Sequence, residues 1–170
     1  MDHHLQRLHN EIADALKGMA AEQLTRHPEG KWCAAEVLEH LYLTYHWTLR
    51  GCERCLHEGK PLAGTPSLQD RVKTAVVVTL GYMPPGRKAP ERSTPRGMAG
   101  GEVVKAIAQE LVAMDTAITR CEERFGKSTR VLDHPILGPL TPRQWRKFHY
   151  VHGSHHVKQI WKLRDQSKRS

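Results

Sequence analysis

His152 and His156, one helical turn apart near the end of the chain, have the type and spacing that most directly offer chemistry. At 100° per residue they lie about 40° apart around a helix and about 6 Å apart along it, so two neutral imidazoles present lone pairs to one side. They share their stripe with Trp145, Phe148, Ile160 and Leu163, the kind of apolar stripe that turns inward. Imidazoles on such a stripe are either buried polar groups that cost free energy or one edge of a metal site. His149 and His155 lie about 60° to either side of His152 and are less well aimed. A third ligand must come from another element, and His40, beside Val37 and Leu41, is the candidate, because bundles build metal sites from side chains projecting inward from facing helices. Three histidines leave a coordination position open for water or substrate, as catalytic metals require. His46, on the opposite face of the same stretch, is expected in solvent.

These residues need helices to hold them, and the apolar spacing supplies four long ones. Leu5, Leu8, Ile12, Leu16 and Met19 step by three and four and predict a helix over about 2–20. Cys33, Val37, Leu38, Leu41, Tyr45, Leu49 and Cys52 predict a second to about Gly59, carrying His40. Val104, Ile107, Leu111, Met114, Ile118, Cys121 and Phe125 give the clearest pattern. Thr141-Pro142-Arg143-Gln144 places an N-cap, a first-turn proline and a capping-box glutamine before the last helix, which bears the paired histidines. A shorter helix is expected from the capping box at Ser67, with Leu68, Val72, Val76, Thr79 and Leu80 on its face, although its valine cluster also suits a strand. No alternating strand pattern competes. The expected architecture is all-α: an up-and-down four-helix bundle with one additional short helix, forming a single domain over residues 1–170. A long basic loop at about 81–101 carries Arg87, Lys88, Arg92 and Arg96, and a frayed tail occupies about 166–170.

Composition narrows the function classes. The chain has 170 residues, 39% of them hydrophobic and 26% charged, with a formal charge of +8 and 12 histidines. That is an ordinary balance for a globular domain able to bury its own core. The longest uncharged apolar run, Ala75 to Met83, is far short of a membrane span, and the first residues lack a signal-peptide pattern. Four cysteines in a chain of this size read as thiols of a reducing cytoplasm rather than a disulfide framework. Cys52-x-x-Cys55 lies about 18 Å along the helix from His40 and cannot share its metal, so it reads as buried small residues. The loop arginines with Lys162, Arg164, Lys168 and Arg169 lack any nucleic-acid recognition motif and read as a solvated surface that can attract an anionic substrate or thiol. The tryptophans read as packing, with Trp145 a candidate pocket wall.

Lys31-Trp32-Cys33-Ala34-Ala35-Glu36-Val37-Leu38-Glu39-His40-Leu41 resembles the start of the second helix in the DinB-like (YfiT-like) superfamily of metalloenzymes. His134 to Thr141, followed by Gln144-Trp145 and by His152-Gly153-Ser154-His155-His156-Val157-Lys158-Gln159-Ile160, resembles that superfamily's last helix and its lead-in. The nearest branch has members without an assigned function. The resemblance implies a bundle that is often a homodimer, with zinc or nickel held by His40, His152 and His156. Cys33 departs from the family's usual serine N-cap and is a poorer cap. Characterised relatives include transferases joining low-molecular-weight thiols to electrophiles, mycothiol-dependent isomerases and metal-dependent hydrolases, and the resemblance does not choose between them. The expected function is therefore a metal-dependent enzyme acting on a small molecule, a thiol being a candidate co-substrate, with His149 or His155 as proton shuttle or outer-shell partner. The alternative is a non-catalytic bundle with a structural metal, or one whose basic face binds an acidic partner.

Overall fold

The computed structural model describes residues 1–84 and 88–167. Arg87 of the basic loop, and Lys168 and Arg169 of the tail, lie outside the described residues. The elements run α1 (His3–Leu16), α2 (Ala21–Thr25), α3 (Ala34–Glu58), α4 (Leu68–Thr74), α5 (Gly100–Phe125), β1 (Leu132–His134), β2 (Gly138–Leu140) and α6 (Pro142–Ser167). The chain is an all-α helical bundle, as its periodicity requires, with α1, α3, α5 and α6 around one core. Helix α6 continues through Gln166 to Ser167, past the expected start of fraying.

The start of α6 follows its sequence signal, and α1 and α3 find caps of their own. Asp2 caps α1 by accepting from the His4 N–H at 2.9 Å. Thr141 and Gln144 exchange hydrogen bonds at the head of α6, Thr141 N–H to Gln144 Oε1 at 2.9 Å and Gln144 N–H to Thr141 Oγ1 at 3.3 Å. At the head of α3 the Cys33 thiol makes no capping bond, and Glu36 supplies the stabilisation by accepting from the Cys33 N–H at 2.8 Å.

Contacts along the helices fix their directions. An ideal Cβ on Gly100 would lie 3.5 Å from Cβ of Ala35, His46 Nδ1 meets Glu110 Oε1 at 2.8 Å, and the Cys121 thiol donates to the Cys52 carbonyl at 3.5 Å. Residue numbers therefore rise together along α3 and α5, and these helices are parallel. Helices α1 and α6 are parallel too, from His4 against Tyr150 to Arg164 on the Ala15 carbonyl. Helix α3 runs against α6, with His40 opposite His152 and Thr48 opposite His149. The order is up, down, down, up, not the strict alternation expected. Its cause is residues 59–99, a crossover long enough to return the chain to the end at which α3 began.

Three smaller features differ from the expectation. Helix α2 is an added turn. The lead-in to α6 is an antiparallel hairpin, Leu132 opposite Leu140, whose strands are too short for alternation to register. Helix α4 passes at Ala75–Thr79 into a π-helical turn. The face turned to the core is not the expected one: Thr74, Val77 and Val78 are buried, with the Thr74 hydroxyl on the Leu137 carbonyl, while Leu68, Val72 and Leu80 are exposed. Cys52 and Cys55 are buried free thiols, as read from the sequence.

Helices α1 and α6 approach closely because position 153 has no side chain; a Cβ there would come within 2.5 Å of Leu8 Cδ1. A buried ion network joins three helices. Arg146 of α6 donates to Asp115 Oδ1 at 2.9 Å, to Thr119 Oγ1 at 2.8 Å and to Glu122, while Asp115 Oδ2 accepts from the Asp2 N–H at 2.7 Å. Truncating one member of such a network leaves uncompensated buried charge, at a cost of about 3–5 kcal/mol. Arg146→Ala is accordingly expected to lower urea-unfolding stability by that amount, whereas Arg50→Ala, which loses an exposed pair with Glu53, changes it by less than about 1 kcal/mol.

Candidate metal centre

Helices α3 and α6 bring His40, His152 and His156 together near one end of the bundle. The Nε2 atoms of His40 and His156 each lie 3.1 Å from Nε2 of His152. The donor atoms of all three lie within 4.8 Å of one another, a group able to hold a metal ion. A tetrahedral ion about 2.0–2.1 Å from each nitrogen separates its ligands by roughly 3.3 Å, close to the two short edges seen here.

The protons decide what this cluster is. His40 Nδ1 lies 2.7 Å from the Ser93 carbonyl, which can only accept, so the proton is on Nδ1 and Nε2 is bare. His156 Nδ1 lies 2.9 Å from Gln159 Oε1, and the same Gln159 donates its amide N–H to His155 Nε2 at 3.2 Å. Two of the three Nε2 atoms thus have free lone pairs. A proton on His152 Nε2 serves one neighbour at a time and leaves the other facing a lone pair. Protonating a ring to fill the gap is opposed by burial, which pushes His156 down to about 3, holds His40 below its ordinary value and holds His152 well below it, with neighbouring histidines adding to the effect at His152 and His156. The donor set fits a divalent cation, with Ser93 and Gln159 as the outer partners that fix ligand orientation.

Aromatic rings pack around the cluster. Phe148 stacks on His152 at 5.3 Å and Trp32 lies 5.3 Å from His40. His40 is buried, while His152 and His156 keep a partly exposed edge. His134, on the hairpin, packs on Phe148 at 4.3 Å, with Nδ1 accepting from the Ile136 and Leu137 N–H groups at 3.1 Å each.

The supporting histidines separate. His155 is half-buried and joined to the triad through Gln159. His149 is fully buried, hydrogen-bonded through Nε2 to Thr48 Oγ1 at 3.0 Å and stacked on Trp145 at 5.6 Å, with no hydrogen bond to the triad. Trp145 is a core residue whose indole N–H reaches the Leu132 carbonyl at 3.3 Å. His46, expected in solvent, keeps 38% of its side chain exposed and also bonds Glu110. Sequence reasoning missed Gln159 and Ser93. Gln159 carried a legible signal, one turn after His156 on the same stripe, but the Ser93 carbonyl had none because its place depends on the crossover. His27, Cys33 and Glu36 form a second close donor group at the head of α3. There Glu36 already serves as the cap. A groove of about 490 Å³ between α1 and α5, beside Ile12 and Ile107, does not include the triad.

Fold and site together define a helical bundle with a three-histidine cluster spanning two of its long helices. A family model described as a protein of unknown function (DUF1569) matches residues 1–163, and the chain belongs to that family. It is also similar to an uncharacterized protein, YuaE, of Bacillus subtilis (strain 168), at 25% identity over 171 residues, covering 94% of each chain. No solved structure matches.

Burial holds His149 neutral, down to about 3. A folded-state value below the unfolded one means that the unfolded chain takes up the proton first as pH falls. The stabilising contribution is complete above about 6.5 and is lost progressively toward 3. His149→Gln, which keeps a hydrogen-bonding group but cannot titrate, is expected to flatten the fall in stability between pH 6.5 and 4 by up to about 1.4 kcal/mol per pH unit. Unfolding curves across that range check it, and an unchanged slope contradicts it.

Proposed function

We propose that this chain is a metal-dependent enzyme of the DinB-like kind, in which His40, His152 and His156 hold one divalent ion, zinc or nickel, and leave a further position for a small-molecule substrate. The observation that carries the proposal is the convergence of three Nε2 atoms with too few protons to satisfy one another. An ion bound there supplies Lewis acidity, lowering the pKa of a coordinated water or thiol and polarising an electrophile.

The chain's own residues do the rest. His40 is held in one tautomer by the Ser93 carbonyl, and His156 by Gln159. His155, at the outer end of the Gln159 link, accepts from the Gln159 amide and so supports His156 through Gln159. Phe148 and Trp32 shield the ligand rings and keep water from the rear of the cluster. Transfer of a low-molecular-weight thiol is the favoured reaction and hydrolysis the runner-up. The thiol reading draws on the exposed Arg92 and Arg96 of the crossover segment beside His40, which favour an anionic co-substrate. Four free cysteines agree with a reducing cytoplasm. No described helix is long and apolar enough to cross a membrane. The exposed Leu68, Val72 and Leu80 offer an apolar surface for a homodimer.

Metal analysis of protein purified without a polyhistidine tag tests the site. The expected result is about one divalent ion per chain, absent from His152→Ala, together with metal-dependent consumption of a small thiol and an electrophile. Absence of stoichiometric metal, or its retention in the variant, contradicts the site. Metal whose removal only lowers the melting temperature, with no turnover, identifies a folding element instead.

A further inference from the structure

The crossover passes the metal centre as a strap tied to α3 at five backbone atoms. Trp47 Nε1 donates to the Arg92 carbonyl at 2.8 Å and His40 Nδ1 to the Ser93 carbonyl at 2.7 Å. The Glu39 carboxylate accepts from three successive N–H groups, Arg96 at 2.7 Å, Gly97 at 3.1 Å and Met98 at 2.9 Å. Glu39 is only 4% exposed. Among the described residues no cation lies within ion-pair distance of it.

A buried carboxylate without a cation is costly unless hydrogen bonds replace its water. Three converging amides do so, forming a cradle for an anion. The cradle depends on Gly97, whose φ of +92° is a conformation that residues with a side chain rarely adopt. Holding the strap on the bundle does not by itself require a charged residue. What the charge accomplishes follows from its position: Glu39 precedes His40, and the segment it clamps begins three residues after Ser93, whose carbonyl sets the His40 tautomer.

We propose that Glu39 is a positioning residue of the metal centre: by clamping the amides of residues 96–98 it holds the Ser93 carbonyl where it fixes the proton and orientation of His40. Glu39 touches neither metal nor substrate. The inference rests on the triad being a metal site. Because the strap and the ion act on the same imidazole, their coupling is reciprocal: an ion on His40 favours the closed strap, and an opened strap weakens the ion by the same factor.

Zinc affinity measured by competition with a chromophoric chelator, together with amide exchange of residues 93–98 with and without zinc, tests this on the full chain. Two variants approach the clamp from opposite sides. Glu39→Gln removes the charge, and Gly97→Ala keeps the carboxylate but opposes the turn. Both are expected to weaken zinc about 10–100-fold, the usual effect of losing an outer-shell partner. Zinc is expected to slow exchange at residues 96–98 in the wild type and to lose that effect in the variants. Unchanged affinity in a folded variant overturns the proposal, even where its melting temperature falls, since that is the signature of a mere loop staple. Exchange in the wild type that ignores zinc overturns it as well. Wild-type protein that takes up no zinc overturns the triad reading and this inference together, whereas zinc bound equally by wild type and variants overturns the inference alone.

Discussion

Two imidazole nitrogens each held 3.1 Å from a third cannot both be satisfied by it when they have already placed their own protons elsewhere. That shortage of protons is the constraint on which the rest of this structure turns. His40 gives its proton to a backbone carbonyl and His156 gives its own to a glutamine, so both aim bare lone pairs at His152. In water such an arrangement relaxes by protonation or rotation. Here burial opposes protonation and the helix frame opposes rotation.

Each layer of the fold contributes to that frame. The antiparallel pairing of α3 and α6 sets His40 opposite the H-x3-H edge. Gly153, between His152 and His156 of α6, admits Leu8 and lets α1 press against that helix from behind. Arg146 anchors the start of α6 to α5 through a buried charge network that also reaches the N-terminus. The crossover, the least regular part of the described chain, supplies the Ser93 carbonyl. A segment that from composition reads as a loose basic loop is thus part of the site's scaffold.

The long helices and the capping boxes at Ser67 and Thr141 were legible because amphipathic spacing and capping side chains are local properties. His152 and His156 were legible for the same reason, since one helix carries both. His40 required the further step of supposing that facing helices converge, and the structure brings it to the pair. What could not be read depends on contacts distant in sequence. The parallel course of α3 and α5 follows from the length of the crossover and not from any motif in it. Leu68, Val72 and Leu80, residues that periodicity would bury, are exposed because Thr74, held by the Leu137 carbonyl, turns the other face of this segment inward together with Val77 and Val78. His149 shares its helix with His152 and His156 yet bonds Thr48 in the core, a distinction of 60° that spacing alone does not convert into a role.

The central claim is that the three Nε2 atoms are the ligands of one ion. A crystal structure of protein grown with zinc, phased with anomalous data on both sides of the zinc absorption edge, tests it most directly. The account predicts one anomalous peak about 2.0–2.1 Å from Nε2 of His40, His152 and His156, with the Ser93 and Gln159 bonds retained. A strong peak elsewhere, with the three nitrogens still in mutual contact, would contradict it.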